Sequence, residues 1–138
     1  KKYKAPVYMS KDDRAFLESP KEVRASAFGM QIEAADVDVF VKEGDEIPFS
    51  EGTIKVIETP GHTLGSVCYL FENYLFAGDT LFNGSIGRTD FPESDHSLMI
   101  ESLKKLKKLD DEIYVLSGHG PESQISYEKM TNPYLRQL

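Results

Sequence analysis

One cysteine is all that this 138-residue chain carries. Cys68 has no partner for an intrachain disulfide, so no crosslinked framework holds the fold, and a lone thiol fits a reducing compartment. No run approaches the roughly 18 apolar residues that a membrane-crossing helix needs, and no charged-then-apolar leader opens the sequence. The cytoplasm is therefore the expected location, with no membrane partner. Positive charge is also in deficit: 16 Lys and Arg against 23 Asp and Glu leave a net charge of -7, which argues against a nucleic-acid backbone as partner. Internal repeats, low-complexity tracts and domain linkers are lacking too. What remains is an ordinary globular composition, 40% hydrophobic and 28% charged, with a length that fits one domain spanning residues 1–138.

Hydrophobic periodicity alternates between strand and helix, the mark of an α/β (α+β) chain. Residues 5–9 (A-P-V-Y-M) predict a short strand after the basic tail 1–4. Ser10 then stands as the N-cap of a helix over 11–18. Asp12 and Asp13 fall in its first turn, where carboxylates suit the positive helix end, and Ser19-Pro20 stops it. Residues 21–33 read as irregular helix and loop. From Val37 the period becomes two, and Val37, Val39 and Val41 predict a half-buried strand. Further strands are expected over 46–49, 53–58, 66–71 and 74–77, the last two joined as a hairpin across Glu72-Asn73. Residues 83–94, rich in Gly, Ser, Asp and Pro, predict a long loop of the kind that is often functional. Ser94 or Asp95 caps the next helix, where Met99, Leu103 and Leu106 recur at helical spacing. Lys104, Lys105, Lys107 and Lys108 mark its solvated face. Residues 112–116 (E-I-Y-V-L) predict a buried strand, and the tail has a weak helical pattern ending near Asn132-Pro133.

Three Gly-rich stretches each set a metal-competent side chain just past an apolar run: Thr59-Pro60-Gly61-His62-Thr63, Gly78-Asp79-Thr80-Leu81-Phe82 and Ser117-Gly118-His119-Gly120-Pro121. Loops on a rigid scaffold are where chemistry is carried. Singly, each side chain has an ordinary reading: His62 a hydrogen bond within its turn, Asp79 an Asx-turn or a helix cap. His119 repeats the surroundings of His62. Jointly they are far more specific. Two His and one Asp, each behind a separate strand and beside Gly, can converge at one sheet edge. Imidazole nitrogens and a carboxylate oxygen suit zinc, with iron or manganese as alternatives. Water held by such a metal is acidified toward neutrality and can serve as the nucleophile.

In order, T-P-G-H-T, G-S-V-C-Y-L, F-A-G-D-T-L-F, the loop 84–92 and S-G-H-G-P resemble the metallo-β-lactamase superfamily, within it the glyoxalase II-like (hydroxyacylglutathione hydrolase-like) branch, over residues 2–133. The resemblance implies a four-layer αββα sandwich with a site for two zinc ions between its sheets. In it His62 ligates the first metal, Asp79 bridges both and His119 ligates the second. It further implies a hydrolase in which a hydroxide shared by the metals attacks the carbonyl of a small thioester or ester, with Asp79 the residue on which catalysis depends. The superfamily's H-x-H-x-D-H cluster, which supplies most of its ligands, is nowhere in these residues; Ala5-Pro6-Val7-Tyr8 resembles the strand that follows it. The chain reads as the C-terminal portion of the fold, without its first strands and first metal-binding loop. Apolar sheet surface left bare in this way predicts self-association or domain swapping. Two alternatives stay open: an iron-dependent persulfide dioxygenase of the same fold, which shares the G-R-T-D-F loop, and a truncated fragment without activity.

Other residues carry weaker expectations. Cys68, inside a strand, reads as a small buried hydrophobe rather than a nucleophile. Arg88 and Asp90 read as an ion pair that braces their loop. Tyr114 reads as core and His96 as surface, while Tyr3 and Tyr8, with the lysines near them, could meet a substrate carboxylate.

Overall fold

The computed structural model describes residues 5–18 and 34–138, which fall in two compact units, 1–41 and 42–138. In the first unit, strand β1 (Tyr8–Ser10) pairs in parallel with β2 (Val39–Val41), Tyr8 opposite Val39. β1 starts three residues later than residues 5–9 suggest. Pro6 has no N–H to give to a ladder, and the Val7 amide donates to the Asp38 carboxylate instead, at 2.7 Å. The Ser10 hydroxyl accepts from the Asp12 amide, opening a 3-10 turn (Lys11–Asp13) that runs into helix α1 (Arg14–Glu18), as the sequence predicts. The reading of 21–33 as irregular helix and loop, and the basic tail 1–4, lie outside the described residues.

The second unit holds, in chain order, β3 (Glu46–Phe49), β4 (Gly52–Glu58), β5 (Val67–Phe71), β6 (Tyr74–Gly78), β7 (Leu81–Phe82), β8 (Ser85–Ile86), helix α2 (His96–Leu106), β9 (Tyr114–Ser117), β10 (Ser123–Gln124), α3 (Ile125–Thr131) and α4 (Pro133–Arg136). Six strands form one sheet in the order β10-β9-β6-β5-β4-β3. β5 and β6 are the expected hairpin, and Glu72 takes φ 52°, the left-handed conformation that such a tight turn demands. Every neighbouring pair is antiparallel except β6 and β9. Those two run parallel, which requires a crossover, and α2 lies on it. β4, β6 and β9 therefore point the same way, and their C-terminal ends reach the same edge of the sheet.

Alternation along the strands sends Cys68, Leu75, Ala77 and Val115 to one face, where Met99, Leu103 and Leu106 of α2 and Ile125 and Leu135 of the last two helices complete a fully buried core. Each large apolar side chain in it contributes about 1.5–3 kcal/mol over an exposed one. Asp95 is the cap of α2, its carboxylate accepting from the Leu98 amide at 3.0 Å. Two of the helix's lysines depart from the solvated face assigned to them. Lys105 reaches the Glu58 carbonyl (2.7 Å) and the Glu43 carboxylate (2.9 Å), and Lys107 reaches the carbonyls of Leu135 and Leu138. Their ammonium groups tie distant segments together.

Two expectations need correction. Tyr114 is not core: it is 44% exposed on the other sheet face, stacked on Tyr74 at 5.8 Å, because the strand's alternation turns Val115 inward instead. Residues 83–94 are not wholly loop, since Ser85 and Ile86 pair with Phe82 and Leu81 across Gly84. β10 went unforeseen because two polar residues carry no periodicity. Among the described residues no helix is long and apolar enough to cross a membrane.

Candidate metal centre

β4, β6 and β9 deliver His62, Asp79 and His119 respectively to their shared edge. The loop after β4 is fastened to the start of α2. The Asp95 amide donates to the Gly61 carbonyl (2.8 Å), the Ser102 hydroxyl to the Pro60 carbonyl (2.8 Å) and the Ser94 hydroxyl to the His62 carbonyl (2.6 Å). Gly61 takes φ 149°, and a Cβ there would stand 2.5 Å from the Met99 backbone, so helix and loop touch only because the side chain is absent. The His62 ring is oriented in turn. Its Nδ1 lies 2.9 Å from the Arg88 carbonyl. A carbonyl can only accept, so Nδ1 carries the proton and Nε2 keeps its lone pair.

Asp79 emerges where β6 slips register against β9 between Phe76 and Gly78. Irregularities of this kind re-aim a side chain at a sheet rim. Two glycines make room for it. A Cβ on Gly118 would lie 2.5 Å from Asp79 Oδ1, and one on Gly87 would lie 1.7 Å from the Asp79 carbonyl oxygen. The Gly118 amide also donates to the Gly78 carbonyl at 2.7 Å, fixing the His119 loop beside the Asp79 loop. Below them the Thr59 hydroxyl meets Thr80 (3.0 Å) and the Cys68 sulfur (3.4 Å). Burial pushes the Cys68 thiol up to about 11, so it is neutral and inert, as its place in a strand suggests.

The three expected side chains come together. His62 Nε2 lies 3.7 Å from Asp79 Oδ2, and His119 Nε2 lies 3.5 Å from Asp79 Oδ1. Both separations exceed those of ordinary hydrogen bonds. They are close to the spacing of two donor atoms bound tetrahedrally to one ion, about 3.3–3.5 Å for bonds of about 2.0–2.2 Å. Among the described residues no group of three or more His, Cys, Asp or Glu closes around a single ion. The arrangement is instead one carboxylate with an imidazole near each of its oxygens, and its donor chemistry suits divalent metals.

The remaining candidates lie around this row. Arg88 and Asp90 form the expected pair, a two-pronged contact with both bonds at 2.6 Å, and the guanidinium sits over the Phe91 ring at 4.1 Å. Asp90 pushes the Arg88 pKa further up. His96 is exposed and meets the Thr89 hydroxyl at 3.0 Å, outside the row. Tyr8 belongs to the first unit and Tyr3 to the residues not described. Reading from the sequence missed the Arg88 main-chain carbonyl, which no side-chain pattern could announce. It also assigned Gly118 and Gly87 no role in making space for Asp79; their proximity to the candidate ligands in the motifs was the available signal.

The sequence matches the Metallo-beta-lactamase superfamily over residues 1–119. Hydroxyacylglutathione hydrolase GloC of Haemophilus influenzae is 34% identical over 138 residues, covering 94% of this chain and 63% of that protein. Among solved structures, the BLEG-1 B3 metallo-beta-lactamase superposes with a TM-score of 0.88 at 37% identity, over 97% of this chain and 66% of that one. TTHA1623 in a di-iron-bound form gives 0.83 at 35% identity, over 94% and 65%. ETHE1 from Myxococcus xanthus gives 0.69 at 37% identity, over 72% and 47%. The chain thus spans less than two-thirds of the length of GloC. The match runs through all three loops, and one of these neighbours holds two irons in the same fold. A carboxylate offered to two imidazoles at a sheet edge is what such a match leads one to find: the chain belongs to the metallo-beta-lactamase superfamily, whose members are generally metal-dependent hydrolases.

Proposed function

We propose that the protein carrying this chain is a metal-dependent hydrolase of a small thioester or ester, hydroxyacylglutathione hydrolase-like, working in the cytoplasm. The observation that carries this reading is the Asp79 carboxylate, with one oxygen toward His62 and the other toward His119. Zinc is the metal proposed, with iron, as in the di-iron form of TTHA1623, the alternative. When bound, a pair of divalent ions supplies Lewis acidity toward a carbonyl and acidifies water near neutral pH. The chain's own residues do the holding. The Arg88 carbonyl accepts a hydrogen bond from His62 Nδ1–H, leaving Nε2 as the nitrogen that can ligate, and Gly87 and Gly118 leave Asp79 the room to sit between the two imidazoles. No nucleophilic side chain is called for.

Zinc-loaded full-length protein should hydrolyse S-lactoylglutathione or a similar thioester at steady state, and Asp79→Ala should lose that activity. Retained turnover in Asp79→Ala contradicts the reading. A persulfide dioxygenase is the second reading, favoured by the likeness to ETHE1 and the shared G-R-T-D-F loop. One iron position suffices for that chemistry, so His119 facing the second oxygen of Asp79 speaks for the hydrolase. Oxygen uptake by iron-loaded protein with glutathione persulfide would reverse the preference. The isolated 138-residue chain is also proposed to self-associate, since Tyr74, Phe76 and Tyr114 are each more than 40% exposed on one sheet face. A clean monomer by light scattering counts against that.

A further inference from the structure

Glu128 is fully buried, and none of the three ligand loops contains it. Its Oε2 accepts from the Gly84 amide (3.0 Å) and from Asn132 Nδ2 (2.7 Å), while its Oε1 accepts from the Ser123 hydroxyl. Asn132, buried as well, donates from the same nitrogen to the Ser85 carbonyl (3.0 Å), and its Oδ1 accepts from the Tyr134 amide to cap α4. A carboxylate removed from water is costly unless its lone pairs are filled, and such a network tolerates poorly the loss of any member. Each of these bonds comes from a neutral donor, so geometry rather than charge pairing holds the group in place.

The segments gathered by this carboxylate are specific. Gly84 is the turn of the β7–β8 hairpin, which follows directly on Asp79. Ser123 opens β10, the strand that follows the His119 loop. The Asn83 side chain adds a parallel tie to the Glu122 carbonyl at 3.1 Å. Glu128 thus clamps the far ends of the two loops whose near ends present Asp79 and His119. Between the clamp and the ligands stands Phe82, its ring edge-to-face with the His119 imidazole at a centroid distance of 5.9 Å. The His62 loop is anchored to α2 and, through its ring, to the Arg88 carbonyl beyond the hairpin; among the described residues no hydrogen bond joins it to Glu128 or Asn132 directly.

We infer that Glu128, together with Asn132, is a positioning residue for the second metal position: it holds the β7–β8 hairpin, and with it Phe82, so that His119 stays opposite Asp79 Oδ1. This rests on the two-metal reading of the site. The test is stepwise cobalt titration of the metal-free full-length protein, followed by absorbance, with calorimetry for the two affinities. In Glu128→Ala the second equivalent should bind about 10–100-fold more weakly, the usual range for outer-shell partners, with the first within about threefold of wild type. Glu128→Gln keeps an oxygen for Gly84 and Asn132 and can turn its amide toward the Ser123 hydroxyl, so it should restore the second equivalent. If Glu128→Ala does not fold, Ser123→Ala removes one tie alone and should weaken the second equivalent about threefold or more. Equal weakening of both equivalents, or no change in either, overturns the inference. A wild-type protein that takes up no second ion overturns the two-metal reading itself and is recognised before any variant is made.

Discussion

His62 and His119 face one carboxylate from opposite sides, yet the side chain of the first is 20% exposed and that of the second 77%. His62 has its ring nitrogen on the Arg88 carbonyl, its own carbonyl on Ser94 and its loop sewn to α2. His119 rests on the edge of Phe82, and its own carbonyl is held by the Ser117 hydroxyl within the same loop. His62 is thus held by several hydrogen bonds to its ring and loop, and His119 by a relay through a short hairpin. A preorganised pair of ligands loses less freedom on binding than a mobile one. The first metal position should therefore be the tighter.

Loss of the shared group should break both positions together. Asp79→Ala is expected to abolish uptake of both ions and to lower kcat/KM by on the order of 10³, the weight of several kcal/mol of charge stabilisation; metal analysis and steady-state kinetics check it. The two glycines then separate the positions. Gly118→Ala places a methyl 2.5 Å from Asp79 Oδ1, on the His119 side, and should weaken the second ion about tenfold or more. Gly61→Ala drives a methyl against the Met99 backbone and should cost about 1–3 kcal/mol of stability, with the damage falling on the first ion. Urea denaturation with stepwise titration reads both, and the reverse assignment would break the comparison. Arg88→Ala should do less. Its ion pair is exposed and screened by solvent, and the carbonyl that receives His62 belongs to the main chain. A loss of about threefold at the first ion is expected.

Cys68, buried beneath the loops that bear His62 and Asp79, supplies a separate check through pH. Burial raises the folded thiol to about 11 from its ordinary 9.0, so the folded state favours the protonated form. That contribution is fully present below the unfolded pKa and is lost as pH rises from there through about 11. The urea midpoint should fall over that window in the wild type and less so in Cys68→Ala. The folded thiol should also resist alkylation at neutral pH. Rapid labelling would contradict its burial.

Much of this centre is legible in the chain because its candidate ligands follow apolar strand-like runs. β4, β6 and β9 carry the buried Val56, Leu75, Ala77 and Val115, and each run leads to a Gly-rich stretch that bears a candidate ligand. Ser10 is read correctly as an N-cap, and Asp95 is one of the two residues, with Ser94, between which the sequence leaves the cap of α2, since such signals are local. What escapes is whatever depends on contact across the fold. Strand β8 offers Ile86 alone as a buried apolar residue among turn formers, and its pairing with the buried Leu81 of β7 shows only in the fold. Lys105 and Lys107 look like solvated charge until their carbonyl partners, far along the chain, are placed beside them. Glu128 sits in a weak helical pattern and gives no sign that it is buried, because burial of a carboxylate follows from Gly84, Ser123 and Asn132 arriving around it.

The most direct test of the shared carboxylate is a crystal structure of the metal-loaded full-length protein with anomalous data collected at the metal edge. Two peaks are predicted, one between His62 Nε2 and Asp79 Oδ2 and one between His119 Nε2 and Asp79 Oδ1, with the first at the higher occupancy. A single peak, or peaks that leave Asp79 outside coordination distance, would contradict the account.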